Sequence, residues 1–248
     1  MSHMLNPALA HILRSRFVNT RALDFEAGSS QSLTRAWGTG GDSRRLMTWS
    51  IFYKRESTGN IQLFAGGEDT GNNDFGITWF TGNEIRVYSI AGGSLILDKR
   101  STATFTDTAS WHHLVVGLDT THATAANRCR VYHDGTEITS WGTNTIWAQN
   151  TDCPVNGYNT TYTIGVLNYT PAAQYDGLLD EVIFVDGQQL APEDFASSAT
   201  TPRAYTGTYG AKGFRLRFED PGNLGSDSSG NGLNWTLVNA PVTSMDRP

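Results

Sequence analysis

The stretch at residues 175–190, YDGLLDEVIFVDGQQL, constrains the fold of this chain more than any other part of its sequence. Successive side chains of a β-strand point to opposite faces, and residues 178–185 place apolar side chains on both of them. Such two-sided coverage is typical of an inner strand in a two-sheet sandwich. We expect a turn at Asp186-Gly187 to follow, and then one helical turn within 190–195, where a proline comes early and acids lie near the positive end.

Composition favours the same fold class. The 248 residues include 26 Gly, 7 Trp, 9 Tyr and 11 Phe, whereas charged residues make up only 17%. Short strands separated by Gly, Asn, Asp and Thr turns are predicted at 22–25, 48–54, 61–65, 75–80, 85–90, 95–98, 111–118, 128–133, 161–166, 178–185, 214–218 and 233–238. This spacing predicts an all-β sandwich or barrel.

No change of composition and no proline linker divides the chain, so residues 21–248 are expected to form a single domain. Residues 5–20 are interpreted as an N-terminal helical segment, with LNPALAHILRSR at 5–16 as its helix. This segment either docks on the domain or attaches it to a larger assembly. Residues 1–4 are interpreted as the remnant of an expression tag.

Charge and apolar content argue against two kinds of partner. A net charge of −6 and a pI near 5.4 do not favour nucleic acid, and no apolar run is long enough to span a membrane. The start of the chain lacks the apolar block of a signal peptide, so secretion is not expected. Cys129 and Cys153 lack the spacing of a metal knuckle and are either bridged or two separate thiols.

Long connections at 66–74, 136–159 and 196–213 are where binding is expected on a β-scaffold. Amides and carboxylates can bind sugar hydroxyls, and an aromatic ring can stack on the apolar face of a sugar. The candidate glycan-binding residues are Asp69, Asn72, Asn73, Asp74, Trp79, Asn156, Tyr158, Asn159 and Tyr162. Calcium is the one candidate cofactor, with Glu68, Asp69 and Asp74 as ligands, although the same residues are also typical of a plain exposed loop.

Other conspicuous residues are expected to be structural. Trp111 is expected to fill the core, and the adjacent His112 and His113 should point to opposite faces, so they cannot form a metal pair. Residues 227–232, DSSGNG, read better as a tight turn than as a calcium loop.

A glycosidase needs two acids that project into one cleft, which on a strand means positions two apart. Asp180 and Glu181 are adjacent, so they should face opposite ways. We therefore expect no catalytic residues and no enzymatic activity.

Three motifs in order resemble the laminin G-like domains of the concanavalin A-like lectin and glucanase superfamily. They are WHHLVV at 111–116, RVYHDG at 130–135 and GLLDEV at 177–182. The resemblance implies a two-sheet antiparallel jelly-roll.

A narrower resemblance, to laminin G-like virion proteins of tailed bacteriophages, covers nearly the whole chain. It rests on LDF at 23–25, TWS at 48–50 with KR at 54–55, DEVIFVDGQ at 180–188, YTGTYG at 205–210 with GF at 213–214, and DSSGNG at 227–232 with WT at 235–236.

This second resemblance implies a tail-fibre, head-fibre or minor structural protein. Its partners would be other virion subunits, including copies of itself, and polysaccharide on the bacterial surface. It would be made in the host cytoplasm and located in the virion. The alternatives are a capsid or tail decoration or connector protein that binds no glycan and, more remotely, a polysaccharide depolymerase.

Overall fold

The computed structural model describes residues 21–68, 71–167 and 173–248, so the helix expected within 5–20 and the residues at 1–4 lie outside the described part. The described residues form eighteen β-strands. In chain order they are β1 (Ala22–Phe25), β2 (Ser32–Ala36), β3 (Leu46–Arg55), β4 (Ile61–Gly67), β5 (Asp74–Trp79), β6 (Glu84–Ala91), β7 (Ser94–Thr104), β8 (His112–Asp119), β9 (Cys129–His133), β10 (Thr136–Glu137), β11 (Trp141–Thr145), β12 (Thr161–Ile164), β13 (Gly177–Asp186), β14 (Ala196–Ser198), β15 (Thr201–Pro202), β16 (Phe214–Leu216), β17 (Thr236–Val238) and β18 (Val242–Ser244). Short 3-10 helices span Ala27–Ser29, Ala125–Arg128 and Pro192–Asp194, and the last confirms the helical turn predicted within 190–195. None of the helices in these ranges is long and apolar enough to cross a membrane.

The strands build two antiparallel sheets that pack face to face. Sheet one has the order β10-β9-β8-β3-β13-β1-β18, with β16 also paired to β13. Sheet two has the order β11-β7-β6-β5-β4-β12-β2-β17, while β14 and β15 form a separate small pair. This arrangement confirms the predicted all-β sandwich, and each of the twelve predicted strands overlaps an observed one.

Strand β13 is central to sheet one, where it pairs with β1, β3 and β16. All ten of its residues are buried. Leu179, Val182 and Phe184 pack in the core between the sheets, whereas Ile183 and Val185 belong to a second apolar cluster on the outer face. The chain itself covers that outer face, since the cluster also contains Phe195, Tyr205, Leu190 and Tyr209. The two-sided coverage expected for this strand is therefore confirmed.

The expected alternation fails at one point, because β13 contains a β-bulge. The register with β3 shifts between Asp180 and Ile183, and Glu181 has a positive φ of 45°. Asp180 lies opposite Phe52, whose ring stacks on His113, and Glu181 bonds to Arg215, the cross-strand partner of Ile183. Both carboxylates therefore lie on the outer side of sheet one, and the prediction that they face opposite ways is wrong.

Aromatic side chains dominate the core between the sheets. The ring of Trp49 stacks on that of Phe75 at 4.8 Å between centroids, and burial of each such side chain contributes about 1.5–3 kcal/mol. Trp111 is not part of this core, because it precedes β8, is only half-buried and donates its indole N–H to Asp246. Cys129 and Cys153 are both buried free thiols, so no bridge joins them.

Candidate functional site

The outer face of sheet two carries polar and aromatic side chains, and within residues 21–68, 71–167 and 173–248 no buried apolar cluster lies over it. Along β5 and β6, Thr78 lies opposite Arg86 and Gly76 opposite Tyr88, while the alternate residues Phe75, Ile77, Trp79, Ile85 and Val87 point into the core. A groove of about 180 Å³ opens on this outer face. We call it the sheet-two groove, and it is lined by Asn60, Gln62, Thr78, Phe80, Arg86, Tyr88, Ile90, Leu167 and Ala173.

Gly76 is required for the shape of this groove. A Cβ at position 76 would overlap the ring of Tyr88, so the missing side chain lets that ring lie flat across β5. In this position the Tyr88 hydroxyl donates to Oδ2 of Asp74 at 3.1 Å. The floor of the groove is therefore a fixed aromatic surface.

Cationic side chains stand beside the aromatic rings of the groove. The Arg86 guanidinium lies 4.8 Å from the centroid of Tyr88 and 5.2 Å from that of Phe80. The Arg100 guanidinium also lies over the Phe80 ring, 3.8 Å from its centroid. Asp98 orients both arginines, at 2.6 Å from Nε of Arg86 and 3.8 Å from a terminal nitrogen of Arg100. The groove thus combines aromatic surface with guanidinium and amide groups, which are the groups that recognise sugar rings and hydroxyls.

Two aromatic residues predicted to bind a glycan lie in the core instead. Trp79 is 1% exposed and packs against Tyr53 at 4.7 Å between ring centroids. Tyr162 is fully buried and stacks on Trp37 at 4.5 Å. Neither ring can reach a ligand in this structure, because each points inward from its strand.

Asn156 is also occupied inside the protein. Its side chain accepts a hydrogen bond from the Trp37 indole at 2.8 Å and donates to the Ser43 carbonyl and to Asp186. Asp186 in turn accepts backbone N–H groups from Asp42, Ser43 and Lys212. Asn156 therefore holds three chain segments together and offers nothing to a ligand.

The remaining loop candidates lie at the surface. Asn72 and Asn159 are exposed and Tyr158 is half-buried, whereas Asp69 lies outside the described residues. Asn73 donates to Glu68 at 2.7 Å and accepts the Gly92 N–H at 2.9 Å, so it braces its own loop. Thr160 donates to the carbonyl of Gly67, which brings the two candidate loops together.

Asp74 does not suit the expected calcium site. The residue is fully buried beneath Tyr88, and burial raises the pKa of its carboxyl to about 7. One oxygen accepts the Tyr88 hydroxyl and the other accepts the Phe75 N–H. Since a calcium ligand must be ionised and accessible, the described part of the 66–74 loop retains only Glu68 as an acidic candidate.

Asp180 and Glu181 are both buried, and Glu181 is paired with arginine. Arg215 binds Glu181 through two hydrogen bonds of 2.8 and 3.1 Å, and Arg217 lies 3.4 Å away. Burial, reinforced by the neighbouring carboxylate of Glu181, holds the pKa of Asp180 well above its usual range. The two acids share one side of the sheet, but burial and the arginines separate them from solvent. Arg215 holds Glu181 in place at the bulge.

The turn expected at 227–232 is built around Asp227. Its two oxygens accept the N–H groups of Arg215, Ser229 and Leu233 and the hydroxyl of Ser229. This use of the carboxylate agrees with the prediction of a tight turn.

Histidines form a second polar cluster at the β8–β9 hairpin. His112 and His113 point to opposite faces, as predicted, because His113 packs on Phe52 and His112 lies beside Tyr53. The partner of His112 is His133 on the next strand, at 4.9 Å between ring centroids. Sequence reasoning missed this pair, although RVYHDG at 130–135 carries both His133 and the turn residue Asp134.

The pKa values of the two histidines in this cluster are shifted in opposite directions. Nδ1 of His112 lies 2.7 Å from Oδ2 of Asp134, and this hydrogen bond raises the pKa of His112. His133 is more deeply buried, which lowers its pKa to about 4 and keeps its ring neutral near pH 7. A cavity of about 250 Å³ opens beside both rings and is lined by Tyr53, Thr104, Phe105, Thr106, Asp107, His112 and His133.

Comparison with known proteins agrees with this architecture. The profile of the family Laminin_G_3, described as the concanavalin A-like lectin/glucanases superfamily, matches residues 28–196. The chain belongs to this family. The match includes the strands that carry the sheet-two groove and the histidine cluster, and it confirms the laminin G resemblance found in the sequence.

No curated protein is similar enough to the chain to count as a relative. Among solved structures, a native heptameric SAP-like pentraxin from Limulus polyphemus shares 10% identity with a TM-score of 0.56, over 92% of this chain and 96% of the pentraxin. A Bacteroides ovatus protein, described as a candidate carbohydrate binding protein, shares 14% identity with a TM-score of 0.59, over 92% of this chain and 60% of that protein. Likeness at these identities shows the shared fold alone.

Proposed function

We propose that this protein is a non-enzymatic carbohydrate-binding protein whose ligand lies in the sheet-two groove. The observation that carries the proposal is the Phe80 ring beside Arg86 and Tyr88 on a sheet face that the described residues leave open. Aromatic rings stack on the apolar faces of sugars, while guanidinium and amide groups bind their hydroxyls. Membership of a lectin and glucanase superfamily, and the description of the Bacteroides ovatus protein, support binding of this kind.

The biological setting we propose is the virion of a bacteriophage, with polysaccharide on the bacterial host as the ligand. The support is the ordered set of sequence motifs shared with laminin G-like virion proteins, from LDF at 23–25 to DSSGNG at 227–232. Binding by one groove is weak, and copies repeated on a particle raise it through effective concentration.

Binding of host polysaccharide or of an array of bacterial glycans, compared among three variants, tests the proposal. Phe80→Ala and Arg86→Met are expected to weaken binding about tenfold or more, because each removes a group that faces the groove. Tyr158→Ala is the matched control, since it changes an aromatic residue in the loop that the sequence favoured. Loss of binding in the control alone would refute the groove as the site, and absence of binding to every glycan would refute the function.

A decoration or connector role is the second candidate, and one observation favours it. The edge strand β18 carries Val242, which is 58% exposed, and Met245 just beyond it is 73% exposed. Exposed apolar residues at a sheet edge suit contact with another subunit. Binding to purified virions that is lost in Val242→Lys, together with no binding to host polysaccharide, would support this role over the first.

A further inference from the structure

We propose that His112, His133 and Asp134 bind a divalent transition-metal ion of the Zn²⁺ type. Within the described ranges, they form a group of three potential metal ligands whose ligand atoms all lie within 4.8 Å of one another. The site goes beyond the proposed carbohydrate binding, because none of its residues lines the sheet-two groove.

The hairpin between β8 and β9 fixes the positions of these three residues. His112 begins β8, His133 ends β9, and Asp134 follows in the connecting turn. The carboxylate of Asp134 accepts a hydrogen bond from the backbone N–H of His113 at 2.8 Å. The backbone N–H of Asp134 donates to the carbonyl of His113 at 2.9 Å. One Asp134 oxygen is therefore held by the backbone, which leaves Oδ2 directed at the two imidazoles.

The distances among the ligand atoms are close to those of a tetrahedral zinc site. Oδ2 of Asp134 lies 2.7 Å from Nδ1 of His112 and 3.3 Å from Nδ1 of His133. Bonds of about 2.0–2.2 Å to nitrogen and oxygen place neighbouring tetrahedral ligands roughly 3.4 Å apart. The ion would replace the proton that His112 and Asp134 share, and Nδ1 of His112 and Oδ2 of Asp134, now 2.7 Å apart, would separate by about 0.7 Å.

Both imidazoles also have the outer partners that metal-binding histidines use. Nε2 of His133 lies 2.8 Å from the Tyr53 hydroxyl, and Nε2 of His112 lies 3.4 Å from the carboxylate of Asp107. A ligating histidine usually directs its remote nitrogen to such an oxygen, which fixes the ring orientation. Here these partners turn both Nδ1 atoms towards the same oxygen of Asp134.

The chemistry of the ligands selects the class of ion. Imidazole nitrogen suits zinc and neighbouring transition metals, whereas calcium requires six to eight oxygen ligands. The adjoining cavity of about 250 Å³ leaves room for water as the fourth ligand. The arrangement therefore fits Zn²⁺ or Co²⁺ with three protein ligands.

Titration of the metal-free protein with Co²⁺, followed by visible absorption, tests this proposal. We expect one tightly bound ion with the intense spectrum of a four-coordinate site, and competition by Zn²⁺. His133→Gln and Asp134→Asn are each expected to weaken binding at least about tenfold. Asn tolerates the positive φ of 50° at position 134, so this variant keeps the turn and removes only the charged ligand.

His122→Ala is the matched control, because His122 lies in a turn outside the cluster and bonds to the Thr124 N–H. It should bind Co²⁺ as the parent protein does. Absence of saturable binding would overturn the proposal, as would equal binding by the parent, His133→Gln and Asp134→Asn. Adventitious Co²⁺ binding by His3 or His11 would give equal binding in all three proteins, since it would persist in both variants.

Discussion

Asp74 should make the stability of this protein depend strongly on pH near neutrality. Its side chain is fully buried under Tyr88, and burial raises the pKa of its carboxyl from 3.8 to about 7. The folded state therefore keeps the proton that the unfolded chain releases at lower pH. The contribution of this protonated carboxyl to the unfolding free energy is therefore fully present below about pH 4 and is lost as the pH rises to about 7.

Asp74→Asn is the perturbation that isolates this effect, because the neutral amide has the shape of the protonated acid. Its oxygen can accept the Phe75 N–H while its NH₂ group donates to the hydroxyl of Tyr88. A pKa difference of about 3 corresponds to roughly 4 kcal/mol at about 1.4 kcal/mol per unit. The variant should thus match the parent near pH 4 and exceed it by roughly 4 kcal/mol above pH 7.

Urea unfolding followed by tryptophan fluorescence, repeated from about pH 4 to about pH 8, measures the difference in unfolding free energy. Asp220→Asn is the control, because Asp220 is exposed and only caps a turn through the Gly222 N–H. The difference in unfolding free energy between Asp74→Asn and the parent should grow as the pH rises from about 4 to about 8. The curve of Asp220→Asn against pH should instead stay parallel to that of the parent. If Asp74→Asn also stays parallel to the parent, the carboxyl is not held protonated in the fold and the reasoning fails.

Three further predictions concern buried groups. Arg215→Met leaves the carboxylate of Glu181 buried without its two-bond partner and should lower the unfolding free energy by about 3–5 kcal/mol in urea. Gly177→Ala should lower the melting temperature, because the residue has a φ of 127° and a Cβ there would overlap the carbonyl of Lys54. Cys129 and Cys153 should be unreactive towards a thiol reagent in the native state and both reactive in denaturant, since burial raises their pKa values to about 11 and about 12.

Each of these predictions has its own check. Arg45→Met removes an exposed pair with Asp152 and should cost less than about 1 kcal/mol, so an equal loss in both arginine variants would contradict the role given to burial. Gly28→Ala adds a Cβ to open space and should be neutral, unlike the change at Gly177. A single reactive thiol in the native protein, or none after unfolding, would contradict the two buried free cysteines.

Sequence reasoning located the strands well where apolar residues are dense. The strands it missed are short or polar, such as β2 (SLTRA) and β11 (WGTNT). Strand β2 forms by pairing with β12, and β11 forms by pairing with β7 at the edge of sheet two. Nothing in these segments has the alternation that marks a half-buried strand. Their structure is decided by tertiary pairing, which local sequence does not encode.

The misplaced residues have separate causes. Trp79 follows Phe75 and Ile77 at spacing two, while Gly76 and Thr78 take the other face, so this alternation did carry the signal that places Trp79 inside. The bulge at Glu181 carried no such signal, because a glutamate with positive φ is rare and is held there by Arg215. His133 was missed because it lies on β9 and His112 on the neighbouring strand β8, so their contact depends on the register between the two strands.

The two sheets differ in what lies over their outer faces, and this difference explains why a groove rather than a loop is the stronger candidate. Sheet one is covered by the chain's own Phe195 and Tyr205, so no ligand can approach it there. Sheet two leaves Phe80 and Arg86 at its surface. Arg86 lies in the ladder between β5 and β6, and Phe80, just after β5, donates its backbone N–H to the Glu84 carbonyl at 2.8 Å. Groups held on paired strands lose little freedom when a ligand binds, whereas loop side chains must be ordered at a cost in affinity. A weak, repeated interaction with a polysaccharide gains most from such a preformed surface, since each site contributes little on its own.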